Sequence, residues 1–226
     1  DKAYALTTGG DGSIYIAGYT QGGLDGQVNS GGDAFLSKYD ANGQKDWTQL
    51  LGSSQTDVAR SLTTGRDGSI YIAGASTGDF EGQSNSGGND AFLSKYNTEG
   101  IKSWTRLLGS SENDSSWAIT TGIDGSIYIT GESEGNLDGQ TNSGGNDIFM
   151  SKYDPDGNKR WTHLFGSDLY DDSHTISTGS DGSIYIAGST LGDLDGQINS
   201  GGYDAFLTKF IDHSVSINDE SSEPNV

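Results

Sequence analysis

The sequence predicts an all-β chain assembled from four copies of one unit, and three observations carry that prediction. Asp11-Gly12-Ser13-Ile14-Tyr15-Ile16 recurs from Asp67, from Asp124 and from Asp181, at spacings of 56, 57 and 57 residues. Asp-Ala-Phe-Leu at Asp33 recurs at Asp90 and Asp204, with Asp147-Ile148-Phe149-Met150 between them. Trp47, Trp104 and Trp161 lie 57 residues apart. One unit is therefore 57 residues long, and self-similarity at a fixed period is the signature of a repeat architecture.

Each unit reads as four short strands, best seen in the second copy. The first strand follows Asp57 and runs from Val58 to Thr64. Asp67-Gly68 then predicts a two-residue hairpin turn in which both central residues take positive φ. The second strand runs from Ser69 to Gly74, with Ile70 and Ile72 on one face and Tyr71 on the other. A long polar loop occupies Thr77 to Asn89, and the third strand runs from Asp90 to Tyr96. Asn97 to Gly100 makes the next turn, matched by Asp40 to Gly43 and Asp154 to Gly157. The fourth strand, Lys102 to Leu108, carries the Trp, and Gly109-Ser110-Ser111 leads into the next unit. No segment shows sustained helical periodicity.

A lone sheet of this size cannot bury both faces, so the units must pack on one another. Radial packing of four-stranded sheets gives a β-propeller, an architecture of about 4–8 blades. A β-solenoid is the alternative, but its rungs are shorter and rarely built from hairpins. The unit resembles the bacterial β-propeller repeat called SBBP. The likeness rests on Asp-Gly-Ser-Ile-Tyr-Ile-Ala-Gly at 67–74, Gly-Gln-Ser-Asn-Ser-Gly-Gly at 82–88, Asp90 to Tyr96, and Trp104, and it extends from Asp1 to about Phe210. The resemblance implies a propeller fold within a large secreted or surface bacterial protein, and it implies no activity. Members often have Pro before the Gly-Gln pair, where this chain has Asp25, Glu81, Asp138 and Asp195.

The expected organisation is a propeller over 1–212, with units at about 1–56, 57–113, 114–170 and 171–212. The last unit lacks its Trp strand, since Asn218 stands where the next Trp would fall. His213 to Asn218, with Val215 and Ile217 alternating, is a candidate closing strand, and Asp219 to Val226 reads as an acidic tail. Alternatively the chain is part of a larger propeller, completed by self-association, by another chain or by missing sequence. A start at Asp1 rather than Met reads as a processed or excised piece of a longer chain.

Composition narrows the partners. With 32 acidic and 12 basic residues the net charge is −20, which repels nucleic acid and anionic membrane. No apolar run approaches the ~20 residues that a membrane helix needs. Cys is absent, so there is neither a disulfide framework nor thiol chemistry. Gly reaches 36 residues against 2 Pro, which fits many tight turns between short strands.

The loops between the second and third strands offer candidate sites. The last one places Asp193, Asp195, Gln197, Asn199 and Asp204 at positions 1, 3, 5, 7 and 12, the oxygen spacing of a calcium loop. Asp25, Glu81 and Asp138 are the counterparts of Asp195. Against calcium, the sixth position should be Gly and is Ile198, and position 12 is Asp rather than a bidentate Glu. A packed polar loop of turn-forming Asn, Asp and Gly accounts for the same residues. Gln27 with Asn29, Gln83 with Asn85, Gln140 with Asn142 and Gln197 with Asn199 offer paired donors and acceptors to a carbohydrate, although no aromatic residue recurs within the loops to stack on a sugar. Asp1, Asp57, Asp114 and Asp171 precede the first strands, where they either ring a central channel around a cation or bond nearby backbone amides.

Catalytic signals are weak. His163, His174 and His213 sit at non-equivalent stations, and other units carry Arg60 or Trp117 where the fourth has His174. No nucleophile elbow or phosphate loop appears. Near-identical repeats argue against the asymmetric constellation that catalysis needs. The sequence thus predicts a non-catalytic extracellular module for binding, adhesion or scaffolding at a cell surface, with protein or glycan as partner. A calcium-stabilised structural repeat and a multivalent lectin are the alternatives, and calcium is the one candidate cofactor.

Overall fold

A computed structural model describes residues 1–212 as fifteen antiparallel strands in four sheets. The first sheet contains β1 (Lys2–Thr8), β2 (Ile14–Thr20), β3 (Asp33–Tyr39) and β4 (Lys45–Leu51). The second contains β5 (Asp57–Thr64), β6 (Ile70–Ser76), β7 (Asp90–Tyr96) and β8 (Lys102–Leu108). The third contains β9 (Asp114–Thr121), β10 (Ile127–Ser133), β11 (Asp147–Tyr153) and β12 (Lys159–Phe165). The fourth contains β13 (Asp171–Thr178), β14 (Ser183–Thr190) and β15 (Asp204–Ile211), three strands among the described residues. Each sheet is a meander in which neighbours in sequence are neighbours in space. The expectations for 213–226 lie outside the described residues.

Two features depart from the sequence reading. The Asp-Gly turn is not one in which both central residues have positive φ. Only Gly68 does (79°), while Asp67 uses its carboxylate to accept from Ser69 N (3.0 Å) and Ser69 Oγ (2.8 Å). Gly68 N donates to Gly65 O (3.0 Å), so the tip is a four-residue turn ending in a left-handed Gly. Asx bonding, rather than a second positive φ, stabilises it. The second strand also runs two residues further than predicted, to Ser76, because Gly74 sits in a bulge. The register slips between Ala59 and Ser61, and a Cβ at Gly74 would stand 1.9 Å from Val58 O. Gly18, Gly131 and Gly188 meet the same obstruction from Lys2 O, Ser115 O and Asp172 O. The glycine of the recurring phrase is therefore fixed by close backbone approach.

The four sheets stack in sequence order. The first strands β1, β5, β9 and β13 pack on one another in series, and each leans on the sheet before it. Thr64 Oγ1 donates to Thr8 O (3.2 Å), and Thr178 Oγ1 to Thr121 O (2.9 Å). Three apolar clusters fill the spaces between consecutive sheets. Trp47 and Trp104 reach across these spaces. Their indole nitrogens donate to Thr98 O (3.2 Å) and Pro155 O (3.3 Å), and their rings lie on Gly100 and Gly157 of the following sheet. Within each sheet, Trp47, Trp104 and Trp161 tilt against Tyr15, Tyr71 and Tyr128 at 6.0–6.2 Å. These aromatics knit sheets together, as aromatics at one station of every repeat should.

Candidate functional site

The long loops fold into miniature hairpins. Leu24 pairs with Gln27, Phe80 with Gln83, Leu137 with Gln140 and Leu194 with Gln197. At their tips Asp25, Glu81, Asp138 and Asp195 have φ of 53°, 55°, 50° and 50°, each followed by a Gly of positive φ. Here both central residues are left-handed, the geometry expected for the other turn. Three of these acids form ion pairs with the fourth strand: Asp25 with Lys45, Glu81 with Lys102 and Asp138 with Lys159.

The remaining loop candidates bond to the chain itself. Asn29, Asn85, Asn142 and Asn199 donate through Nδ2 to Thr20 O, Ser76 O, Ser133 O and Thr190 O at 2.8–3.2 Å. Their Oδ1 atoms accept from Gly31, Gly87, Gly144 and Gly201 amides. Gln83 clamps β8, donating to Thr105 O (2.8 Å) and accepting from Leu107 N (3.2 Å). Gln140 does the same with Thr162 O and Leu164 N, and Gln27 with Thr48 O and Leu50 N. Asp193 accepts from Asn199 N (2.8 Å), and Asp204 from Ser200 N (2.7 Å). No group of three acidic or His side chains gathers in metal-binding geometry among the described residues.

Three of the acids at the first strands are buried. Asp57 accepts from Ser53 N (2.5 Å) and Ser53 Oγ (2.9 Å), and Asp114 and Asp171 repeat this with Ser110 and Ser167. The structure adds a partner that the sequence reading missed. A Cβ at Gly52 would lie 2.6 Å from Asp33 Oδ1 and 2.9 Å from Asp57 Oδ2, and Gly166 sits likewise between Asp147 and Asp171. The third strand's leading Asp thus meets the next sheet's leading Asp across a glycine. Oδ1 of Asp57, Asp90, Asp114, Asp147 and Asp171 is buried without a hydrogen-bond partner. Ser76 Oγ lies beside Asp57, but its single hydrogen goes to Gly78 O (3.0 Å). Burial pushes Asp57, Asp90, Asp114 and Asp147 above the usual carboxylate range.

Several residues that break the repeat form a cluster. The Arg60 guanidinium on β5 lies 3.8 Å from the centroid of the Trp117 ring on β9. Asn146 Nδ2 donates to Glu132 Oε2 on β10 (3.1 Å) and Asp172 Oδ1 on β13 (3.4 Å). Equivalent stations hold Tyr4 and His174 for Arg60 and Trp117, and Tyr19, Ala75 and Ser189 for Glu132. Arg60 Nε and Asn146 Oδ1 are buried without a partner. Burial, and then the neighbouring Asp172 carboxylate, push Glu132 up to about 7. The arrangement can hold a proton on Glu132 near neutrality, beside a stacked cation and indole. Only the variable station shared by Arg60, Trp117 and His174 signalled it in the sequence. His174 stands exposed on β13, while His163 packs between Trp161 and Phe210.

Comparison with known proteins agrees with the repeat. The SBBP β-propeller repeat family matches residues 46–81. The regulatory protein FlaEY of Caulobacter vibrioides is 33% identical over 187 residues, covering 75% of this chain and 20% of that protein. The chain thus spans about a fifth of that relative's length. A crystal structure of a protein of unknown function from Dyadobacter fermentans aligns with a TM-score of 0.51 at 15% identity, covering 90% of this chain and 59% of that one. A glucose dehydrogenase structure covers 90% of this chain and 81% of its own at 11% identity, but a TM-score of 0.34 carries no argument.

Proposed function

We propose that this chain, whose residues 46–81 match the SBBP β-propeller repeat, is a non-catalytic extracellular module, its sheets the blades of a propeller, that binds a protein or glycan at a cell surface. One observation carries the proposal: the recurring polar residues hold the repeat together, while Arg60, Trp117, Glu132 and Asp172, which stand at stations that vary between repeats, come together in one cluster. Shared residues cannot give a repeat protein its specificity, so ligand choice falls to the stations that vary. The nearest hydroxyl–imidazole pair, Ser189 Oγ and His174 Nε2, stands 3.4 Å apart on an exposed face, whereas the cluster offers a stacked cation, an indole and carboxylates, which favours binding over covalent chemistry. A lectin built on the loop amides has no support, since in the first three units both ends of each Gln and Asn amide are engaged. The test is capture of surface proteins and polysaccharides by the immobilised chain, repeated with Trp117→Ala. Binding that Trp117→Ala abolishes at unchanged melting temperature supports the reading. Equal capture by both chains, or none by either, overturns it.

A second reading, calcium stabilisation, is favoured by the unpartnered buried oxygens where Asp57, Asp114 and Asp171 meet the preceding sheets. Saturating calcium would then add about 2.7 kcal/mol per site at a hundredfold excess over Kd. A melting curve identical in calcium and in chelator would remove this reading.

A further inference from the structure

In three sheets the outer edge of the third strand is covered by a fourth, and in the last sheet the edge of β15 is not covered among the described residues. The covered edges show what such an edge selects. The amide of Gln27, Gln83 or Gln140 clamps the backbone of a Thr and of the Leu two residues later. The left-handed acid at the hairpin tip pairs with a Lys three residues before that Thr. A buried hydroxyl, Ser37, Ser94 or Ser151, bonds the Thr hydroxyl at 2.7–2.8 Å. A buried Tyr takes the edge of the Trp that precedes the Thr. The three covering strands therefore share one pattern: Lys45-x-Trp47-Thr48-x-Leu50-Leu51, Lys102-x-Trp104-Thr105-x-Leu107-Leu108 and Lys159-x-Trp161-Thr162-x-Leu164-Phe165.

The fourth sheet keeps every selecting group in place. Leu194 and Gln197 close the same miniature hairpin, at 2.9 and 3.1 Å, and Asp195 has the same φ of 50°. Neither the Gln197 amide nor the Asp195 carboxylate has a partner among the described residues. Thr208 stands at the Ser station and Tyr185 at the Tyr station. Beside Thr208 lies a groove of about 270 Å³, lined also by Asp195, Gln197, Ala205 and Leu207. The following sequence does not supply the pattern: at the same spacing Ser216, Asn218, Asp219 and Ser221 replace Lys, Trp, Thr and Leu.

We propose that the open edge of β15 is a docking site for a partner strand reading Lys-x-Trp-Thr-x-Leu followed by Leu or Phe. It enters antiparallel, adding a fourth strand to the sheet. Main-chain ladder bonds supply affinity, and Asp195, Gln197, Thr208 and Tyr185 supply selection. An exposed sheet edge is a pairing template by default, and here the flanking side chains restrict what pairs.

The probe is the capped peptide Lys-Ser-Trp-Thr-Arg-Leu-Leu, identical to residues 102–108, labelled and titrated with the full chain while its fluorescence anisotropy is followed. Saturable one-to-one binding is expected. Gln197→Ala, which touches only an exposed loop, removes two backbone bonds and should weaken it about tenfold or more. Asp195→Lys should also weaken it, and a peptide carrying Lys102→Glu should restore binding to that variant. Trp117→Ala should bind the peptide normally, which separates this site from the surface-binding role. Absence of saturable binding, or binding indifferent to both Gln197→Ala and Asp195→Lys, overturns the proposal. So does a stable dimer in solution whose association the peptide does not disturb.

Discussion

At Gly74 the second strand passes so close to Val58 O that a Cβ would stand 1.9 Å away. The obstruction is backbone on both sides, so no side-chain rotation relieves it. Gly74→Ala must shift the bulge between Ala59 and Ser61 or slip the register. Overpacking of this kind costs about 1–3 kcal/mol. Gly10 has neither a positive φ nor a neighbour within 4 Å, so Gly10→Ala should leave stability unchanged or raise it slightly. Urea unfolding of the two variants gives the comparison, and equal midpoints would remove the role assigned to Gly74. Glu132 carries the second residue-scale prediction. Its folded pKa of about 7 lies above the ordinary 4.5, so the folded state favours its neutral form. The stabilisation is fully present below pH 4.5 and is lost as pH rises towards about 7. Asp172, Asn146, Trp117 and Arg60 surround it, and all stay in Glu132→Gln, which keeps the neutral shape at every pH. The melting temperature of Glu132→Gln should therefore fall less between pH 5 and pH 8 than that of the parent chain. Parallel curves would show that Glu132 titrates normally.

The elements divide by what specifies them. Third and fourth strands have the predicted limits, Asp90–Tyr96 and Lys102–Leu108, because an Asx turn and a left-handed Gly fix both sides of the connection. The second strand ran longer than predicted because a bulge glycine looks the same as a strand-ending glycine in sequence. The Asp67-Gly68 turn was read with one positive φ too many for a related reason. Asp67-Gly68 is followed by a Ser that its carboxylate can bond, whereas Asp25-Gly26 has no such partner and takes the double left-handed form. The candidate loops were legible as turns, yet their second task was not. That Gln83 and Glu81 hold β8 in place depends on a strand about twenty residues away, which no local pattern reveals. The Arg60, Trp117 and Glu132 cluster escaped for the opposite reason. Its members come from three separate strands, and each alone looks like one more tolerated substitution in a repeat.

At the scale of the molecule, the stack has two interior sheets and two end sheets. Leu6 on the first sheet is 66% exposed where its counterpart Leu62 is 8%, and Leu207 on the last is 72% exposed where Leu93 is 0%. Each end sheet therefore has one apolar face covered and one in water. In a stack held by nearest-neighbour contacts, stability follows the number of covered faces. Amide hydrogen exchange should then be slowest in β6, β7, β10 and β11, which lie within sheets covered on both sides. It should be faster in β2 and β3, and fastest in β14 and β15, where a face and an edge are both uncovered among the described residues. The prediction concerns order rather than absolute rates, so it holds at any overall stability. If exchange is instead uniform across all four sheets, the end faces are covered in solution. The chain would then unfold as one closed cooperative unit, through contact between its ends or with another copy. Adding the Lys-Ser-Trp-Thr-Arg-Leu-Leu peptide refines the measurement. It should slow exchange in β15 first and leave β1 unchanged, because it covers an edge of the last sheet and no face of the first.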